Sequence, residues 1–265
     1  MTPTGYLSRN GLKLAIYGGG TDGPPVVFQH GLCGDAHQMA EAMQGLRPQR
    51  WQGLECRGHG ASGMGDISIA AFANDVAALI ETLPHPVVLG GISMGAAIAC
   101  RLAVTRPGLV RALILVRPAW ITDASPANMA PNAEVGALLA QYPADTARDI
   151  FANSATPARL KQEAPDNLNS LMGFFARAPQ NVTAQLLSTI SADGPGITKA
   201  DLQYLHLPAL ICGTADDAIH PLSHAAALAA LIPNARLVEL PAKARDKPAH
   251  LAALATAMTQ FLKEI

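Results

Sequence analysis

Short apolar runs punctuate the chain at residues 25–29, 52–56, 86–90, 112–116, 208–212 and 236–240. Most are continuous rather than alternating and rich in valine, isoleucine or leucine, as expected of parallel strands buried on both faces. Between them, apolar positions recur at helical spacing over residues 36–46, 69–83, 94–106, 223–231 and 248–263. This alternation predicts βαβ units in a doubly wound, mostly parallel sheet. Turn signals at Asn10-Gly11 and Gly18-Gly19-Gly20 flank an early strand at 12–17, which we assign to an antiparallel N-terminal hairpin.

The strand signal stops between about residues 118 and 207. Helical patterns there cover 133–141, 144–153, 167–178 and 182–190, separated by prolines and Asp-Gly or Pro-Gly turns. An all-helical stretch between two strands reads as a cap over one end of the sheet. The expected organisation is a core of residues 1–117 and 208–265 with a helical cap at 118–207.

Composition narrows the possibilities. Hydrophobic residues make up 49% of the 265 and charged residues 15%, which excludes a disordered chain and allows a large core. The 19 basic and 20 acidic residues give no electrostatic reason to expect nucleic acid or an anionic membrane as partner. No stretch is long and apolar enough to span a bilayer, and no signal peptide is expected from the first residues. The four cysteines, Cys33, Cys56, Cys100 and Cys212, form no CxxC pair. They read as reduced thiols of a cytoplasmic protein, with Cys33 set apart by its place in a loop near the expected site.

The chemistry is concentrated in Gly91-Ile92-Ser93-Met94-Gly95, a G-x-S-x-G motif between a predicted strand and a predicted helix. A turn this tight strains the serine backbone and exposes its hydroxyl at the carboxyl edge of the sheet, while the glycines allow close backbone approach. The helix N-terminus aims N–H groups and positive dipole at the same place. With Gln29-His30-Gly31-Leu32, Arg57-Gly58-His59-Gly60-Ala61-Ser62 and the loop running from Gly213 to Pro221, the sequence resembles the α/β-hydrolase family over nearly its whole length.

The resemblance implies Ser93 as nucleophile and the backbone N–H groups of Leu32 and Met94 as the oxyanion hole. It implies an acid at Asp216, by spacing from Gly213, or at Asp217, by spacing back from Pro221; Asp217 is preferred. His30 and His59 read as structural, His220 and His224 as loop and helix-surface residues, and Glu55 as a local partner of Arg57 or Arg101. One element departs from the family. Where a Gly-His pair is expected after the last strand, the chain reads Ala244-Arg245, and an arginine stays protonated and cannot act as base. His250, in the first turn of the last helix, is the nearest substitute. It either points to solvent or is re-routed to Ser93 and Asp217; alternatively Arg245 pairs with Asp217.

Two functions follow as expectations. The first is a serine hydrolase acting on a small ester, thioester or lactone through Ser93, Asp217 and His250, with no metal or organic cofactor and a small-molecule substrate. The second is a protein of the same fold without a complete triad: a lyase, isomerase or cyclase, or a small-molecule binding protein. A haloperoxidase-like activity would need the same triad. Trp120, at the cap entrance, and Arg245 are expected to contact substrate, with Met129, Leu171, Met172, Phe174 and Phe175 as further lining candidates.

Overall fold

The computed structural model describes all 265 residues. Eight strands form one sheet: β1 (Gly5–Arg9), β2 (Leu12–Gly19), β3 (Asp22–Gln29), β4 (Gln49–Leu54), β5 (Val87–Ile92), β6 (Val110–Val116), β7 (Ala209–Thr214) and β8 (Ala235–Leu240). Their order is β1-β2-β4-β3-β5-β6-β7-β8. The β1–β2 and β2–β4 pairs are antiparallel and the remaining pairs parallel. The antiparallel hairpin turns through Asn10 and Gly11, both at positive φ (48° and 82°), the combination a two-residue hairpin turn demands.

The apolar runs of β3, β5, β6 and β7 are buried on both faces because helices cover both sides. On one side α2 (Ile69–Ile80), α3 (Met94–Thr105) and α10 (Leu222–Leu231) close over Leu89, Leu113 and Ile211. On the other, α1 (Ala36–Met43) and α11 (Lys247–Glu264) pack Met39, Met258 and Phe261 against Phe28 and Ile114. Removing surface of this kind from water supplies roughly 25 cal/mol per Å².

Between β6 and β7 lies the helical insert: α4 (Ala130–Gln141), α5 (Ala144–Ala152), α6 (Ala155–Glu163), α7 (Pro165–Phe174), α8 (Gln180–Ala192) and α9 (Lys199–Gln203). It has its own apolar centre around Val135, Phe151, Leu160 and Leu187. Helices α6 and α9 had no counterpart in the pattern reading. α6 buries only Pro157 and Leu160, and α9 is five residues held by a Thr198–Asp201 capping box; neither carries an apolar stripe long enough to register. No helix is long and apolar enough to cross a membrane.

Candidate active site

Strand β5 ends at Ile92 and α3 begins at Met94, so Ser93 alone makes the turn, at φ 56° and ψ −110°. A non-glycine residue at positive φ is strained and persists only where its surroundings dictate it. Here the Ser93 N–H donates to Val116 O at 3.0 Å, and Ser93 O accepts from Ala96 and Ala97. The glycines of the motif are required by space. A Cβ on Gly91 would lie 2.5 Å from the Gly95 carbonyl carbon, and one on Gly95 would lie 2.5 Å from Gln29 O. Ser93 opens onto a cavity of about 170 Å³ walled by Leu32, Cys33, Arg117, Asn132, Asn167 and His220, among others.

The loop after β7 supplies the carboxylate. Asp217 Oδ1 accepts from the His220 N–H at 2.9 Å and from Asn167 Nδ2 at 3.0 Å, while Oδ2 accepts from Arg117 Nε at 2.7 Å and Nη2 at 2.6 Å. The His220 ring is held by its Nδ1, 2.9 Å from Asp217 Oδ1 and 3.1 Å from Oδ2. Arg117 sits at φ 45° at the end of β6, its N–H fixed on Cys212 O. Asn167 of α7 also accepts from the Ala218 N–H at 2.7 Å, tying the insert to this loop.

These contacts set the charges. Burial alone would raise Asp217, but His220 and the Arg117 guanidinium outweigh it and hold the carboxyl well below the usual carboxylate range. Burial pushes His220 down, more than Asp217 draws it up. His220 is therefore a neutral imidazole at pH 7. Donating Nδ1–H to Asp217 leaves its Nε2 as a free acceptor. Ser93 Oγ and His220 Nε2 make no hydrogen bond to the protein, nor to each other, and both residues line the cavity.

The loop after β3 is fixed by two buried histidines. His30 Nδ1 bonds Gly31 O at 2.8 Å and its Nε2 accepts from Cys56 N–H; His59 Nε2 accepts from Cys33 N–H at 3.1 Å. Burial lowers both rings' pKa values, so both stay neutral and can accept these bonds. The Gly31 N–H goes to Gln38 and that of Gly34 to Gly31 O, whereas the Leu32 N–H has no protein acceptor. Met94, as first residue of α3, also has an N–H without an intrahelical partner. Cys33 lines the cavity, but burial pushes its thiol up to about 12, so it is not a thiolate at neutral pH.

Several sequence-based expectations are corrected. His220 is not a loop-surface residue but the ring held by Asp217. His250 is 3% exposed, so it does not face solvent, and it does not join Asp217 either: its Nδ1 bonds Pro241 O at 2.9 Å. It lines an adjoining cavity of about 260 Å³ together with Arg117 and Lys243. Arg245 does not occupy the histidine's place. A turn in which the Arg245 and Asp246 N–H groups both bond Ala242 O swings it outward. Its side chain is 77% exposed and pairs with Asp216 at 2.7 Å; the residue of this loop that faces the Ser93 cavity is Lys243. Trp120 is not a lining residue. It is buried in the main core and donates its indole N–H to Asp193 O at 3.0 Å. Of the other apolar candidates, Met129, Leu171 and Phe174 line the cavity, while Phe175 belongs to the core of the insert. Glu55 pairs with neither Arg57 nor Arg101: it accepts from Tyr17 OH and from the Ala36 and Ala61 N–H groups.

A strained serine at a strand-to-helix turn shares one cavity with an imidazole held by a carboxylate on the loop after β7, two strands further along the sheet. The chain belongs to the alpha/beta hydrolase fold family, whose model matches residues 24–244. It is 35% identical over 122 residues to an sn-1-specific diacylglycerol lipase of Mus musculus, a match covering 44% of this chain and 38% of that protein. The chain thus aligns with well under half the length of that relative. Solved structures sharing its fold include a thermophilic esterase from Thermogutta terrifontis (24% identity, TM-score 0.70, 100% of this chain and 96% of that one). Another is the enol-lactonase from Burkholderia xenovorans LB400 (22% identity, TM-score 0.72, 97% and 99%).

Proposed function

We propose that the protein is a serine hydrolase that cleaves a small carboxylic ester, thioester or lactone through an acyl-enzyme on Ser93, with His220 rather than His250 as general base. The observation that carries this reading is that Ser93 and an imidazole held by a buried carboxylate wall one cavity. His220 Nε2 takes the Ser93 proton as Oγ attacks the substrate carbonyl. The Leu32 and Met94 N–H groups receive the developing oxyanion, each contributing about 3 kcal/mol in sites of this kind. Collapse expels the alcohol or thiol, which takes the proton from His220. Water, activated by the same ring, then releases the acid. Asp217 fixes the Nδ1–H tautomer and stabilises the imidazolium, and Arg117 keeps Asp217 ionised. His250 anchors the loop after β8 through Pro241. The cavity, at about 170 Å³, is below the roughly 300–1,000 Å³ of drug-sized sites, which favours a small acyl group. The esterase, lactonase and lipase among the similar proteins act on the same bond class.

A second reading has one observation in its favour: Arg117 engages Asp217 Oδ2 through both Nε and Nη2, tying the carboxylate into an ion pair as well as to His220. In that reading the pocket binds a ligand or runs non-hydrolytic chemistry. Hydrolysis of 4-nitrophenyl acetate and butyrate by the wild type, Ser93→Ala and His220→Ala separates the two. The hydrolase reading requires turnover that both substitutions reduce by about 10³-fold or more. Turnover equal in all three proteins supports the second reading.

A further inference from the structure

Two cations and no acidic side chain stand in the wall of the Ser93 cavity. Arg117 engages Asp217 through Nε and Nη2, leaving Nη1 without a hydrogen-bond partner in the protein. Lys243 Nζ forms no hydrogen bond. Its nearest carboxylate, Asp166, is 3.7 Å away, and both side chains are 27% exposed, so that pair is screened by solvent and weak. Asp217 is balanced by Arg117, so Lys243, whose only carboxylate partner is the distant and screened Asp166, is the cation of the cavity wall with the weakest compensation.

We propose that Lys243 and Arg117 Nη1 form an anion subsite beside Ser93, and that the preferred substrate is a hemiester: a small ester whose acyl part ends in a second, ionised carboxylate. The substrate assignment rests on the hydrolase reading; the subsite itself does not. A carboxylate entering the cavity meets a wall to which Lys243 and Arg117 both contribute, and charge-assisted hydrogen bonds to such groups are about twice as strong as neutral ones. Because both cations also border the adjoining cavity, the carboxylate can extend toward that side while the ester carbonyl stays at Ser93.

The test compares mono-4-nitrophenyl glutarate with 4-nitrophenyl valerate, which differ in the terminal carboxylate. The wild type is expected to favour the glutarate ester tenfold or more in kcat/KM, mainly through KM. Lys243→Gln should collapse that ratio and Lys243→Arg should largely restore it. Equal kcat/KM for the two esters overturns the subsite while leaving the hydrolase reading intact. Loss of fluorophosphonate labelling of Ser93 in Lys243→Gln also overturns it, because Lys243 would then act on the nucleophile. If neither ester is turned over, the hydrolase reading fails and calorimetric titration with glutarate decides the subsite. Saturable binding abolished by Lys243→Glu supports it; no binding, or binding indifferent to the substitution, overturns it.

Discussion

His220 Nδ1 lies 2.9 Å from Oδ1 of Asp217, three residues before it on the same loop. The acid and the proposed base are therefore carried by one short segment, and the loop after β8 has no imidazole at Asp217. His220→Ala is predicted to lower kcat/KM on a 4-nitrophenyl ester by about 10³–10⁴-fold. His250→Ala, which removes a ring from Pro241 and from the adjoining cavity, is predicted to cost less than tenfold. Steady-state kinetics on both variants, with folding checked by circular dichroism, test the pair.

The pH profile has a defined sign. Burial lowers the His220 pKa below its ordinary value near 6.5, so the neutral form needed for proton abstraction persists at mildly acidic pH. The value of kcat/KM should fall as pH drops through a pKa below 6.5 and be flat between pH 7 and 8. A rate that keeps climbing toward pH 10 would instead indicate a lysine base.

The backbone approach at the nucleophile makes a paired prediction. Gly91→Ala forces a Cβ to within 2.5 Å of the Gly95 carbonyl carbon, so it should lower the Tm and slow labelling of Ser93. Gly173→Ala, at an exposed position in the last turn of α7 with nothing within 4 Å of its Cβ, should leave stability unchanged or raise it by up to about 0.5–1 kcal/mol through helix propensity. Thermal denaturation of the two variants distinguishes crowding from a general intolerance of substitution.

Arg57 and Asp75 form a buried bidentate pair at 2.7 and 3.0 Å, the carboxylate only 1% exposed. Asp75→Ala leaves the guanidinium without its partner, a loss of about 3–5 kcal/mol. For a protein of this size that lowers the Tm by roughly 10 °C. Differential scanning calorimetry checks it.

What was legible in the sequence is local. The strand runs, the Asn10-Gly11 turn and the Ser93 elbow are each determined by a few consecutive residues and were read close to their observed places. Strand β4 begins earlier than the expected 52–56, at Gln49–Leu54, because its first residues, Gln49 and Arg50, are polar and isolate Trp51 from the apolar signal. The partners of Asp217 were not legible, because they converge from three separate elements. Arg117 comes from the end of β6, Asn167 from the insert and His220 from the acid loop itself. Counting residues past β8 led to Arg245, since a count assumes an extended loop. The Ala242-centred turn reverses the chain and hands the inward position to Lys243. Trp120 was misread for a related reason: a large aromatic near a cap suggests a pocket wall, yet its N–H found an acceptor in Asp193 O and the ring went to the core.

The central claim is that Ser93 is an activated nucleophile and His220 is its base. The most direct measurement is fluorophosphonate labelling read by intact mass on the wild type, Ser93→Ala, His220→Ala and His250→Ala. The account predicts one adduct per chain in the wild type and in His250→Ala, none in Ser93→Ala, and labelling slowed at least 10³-fold in His220→Ala. An unlabelled, folded wild type, or rapid labelling that survives His220→Ala, would contradict it.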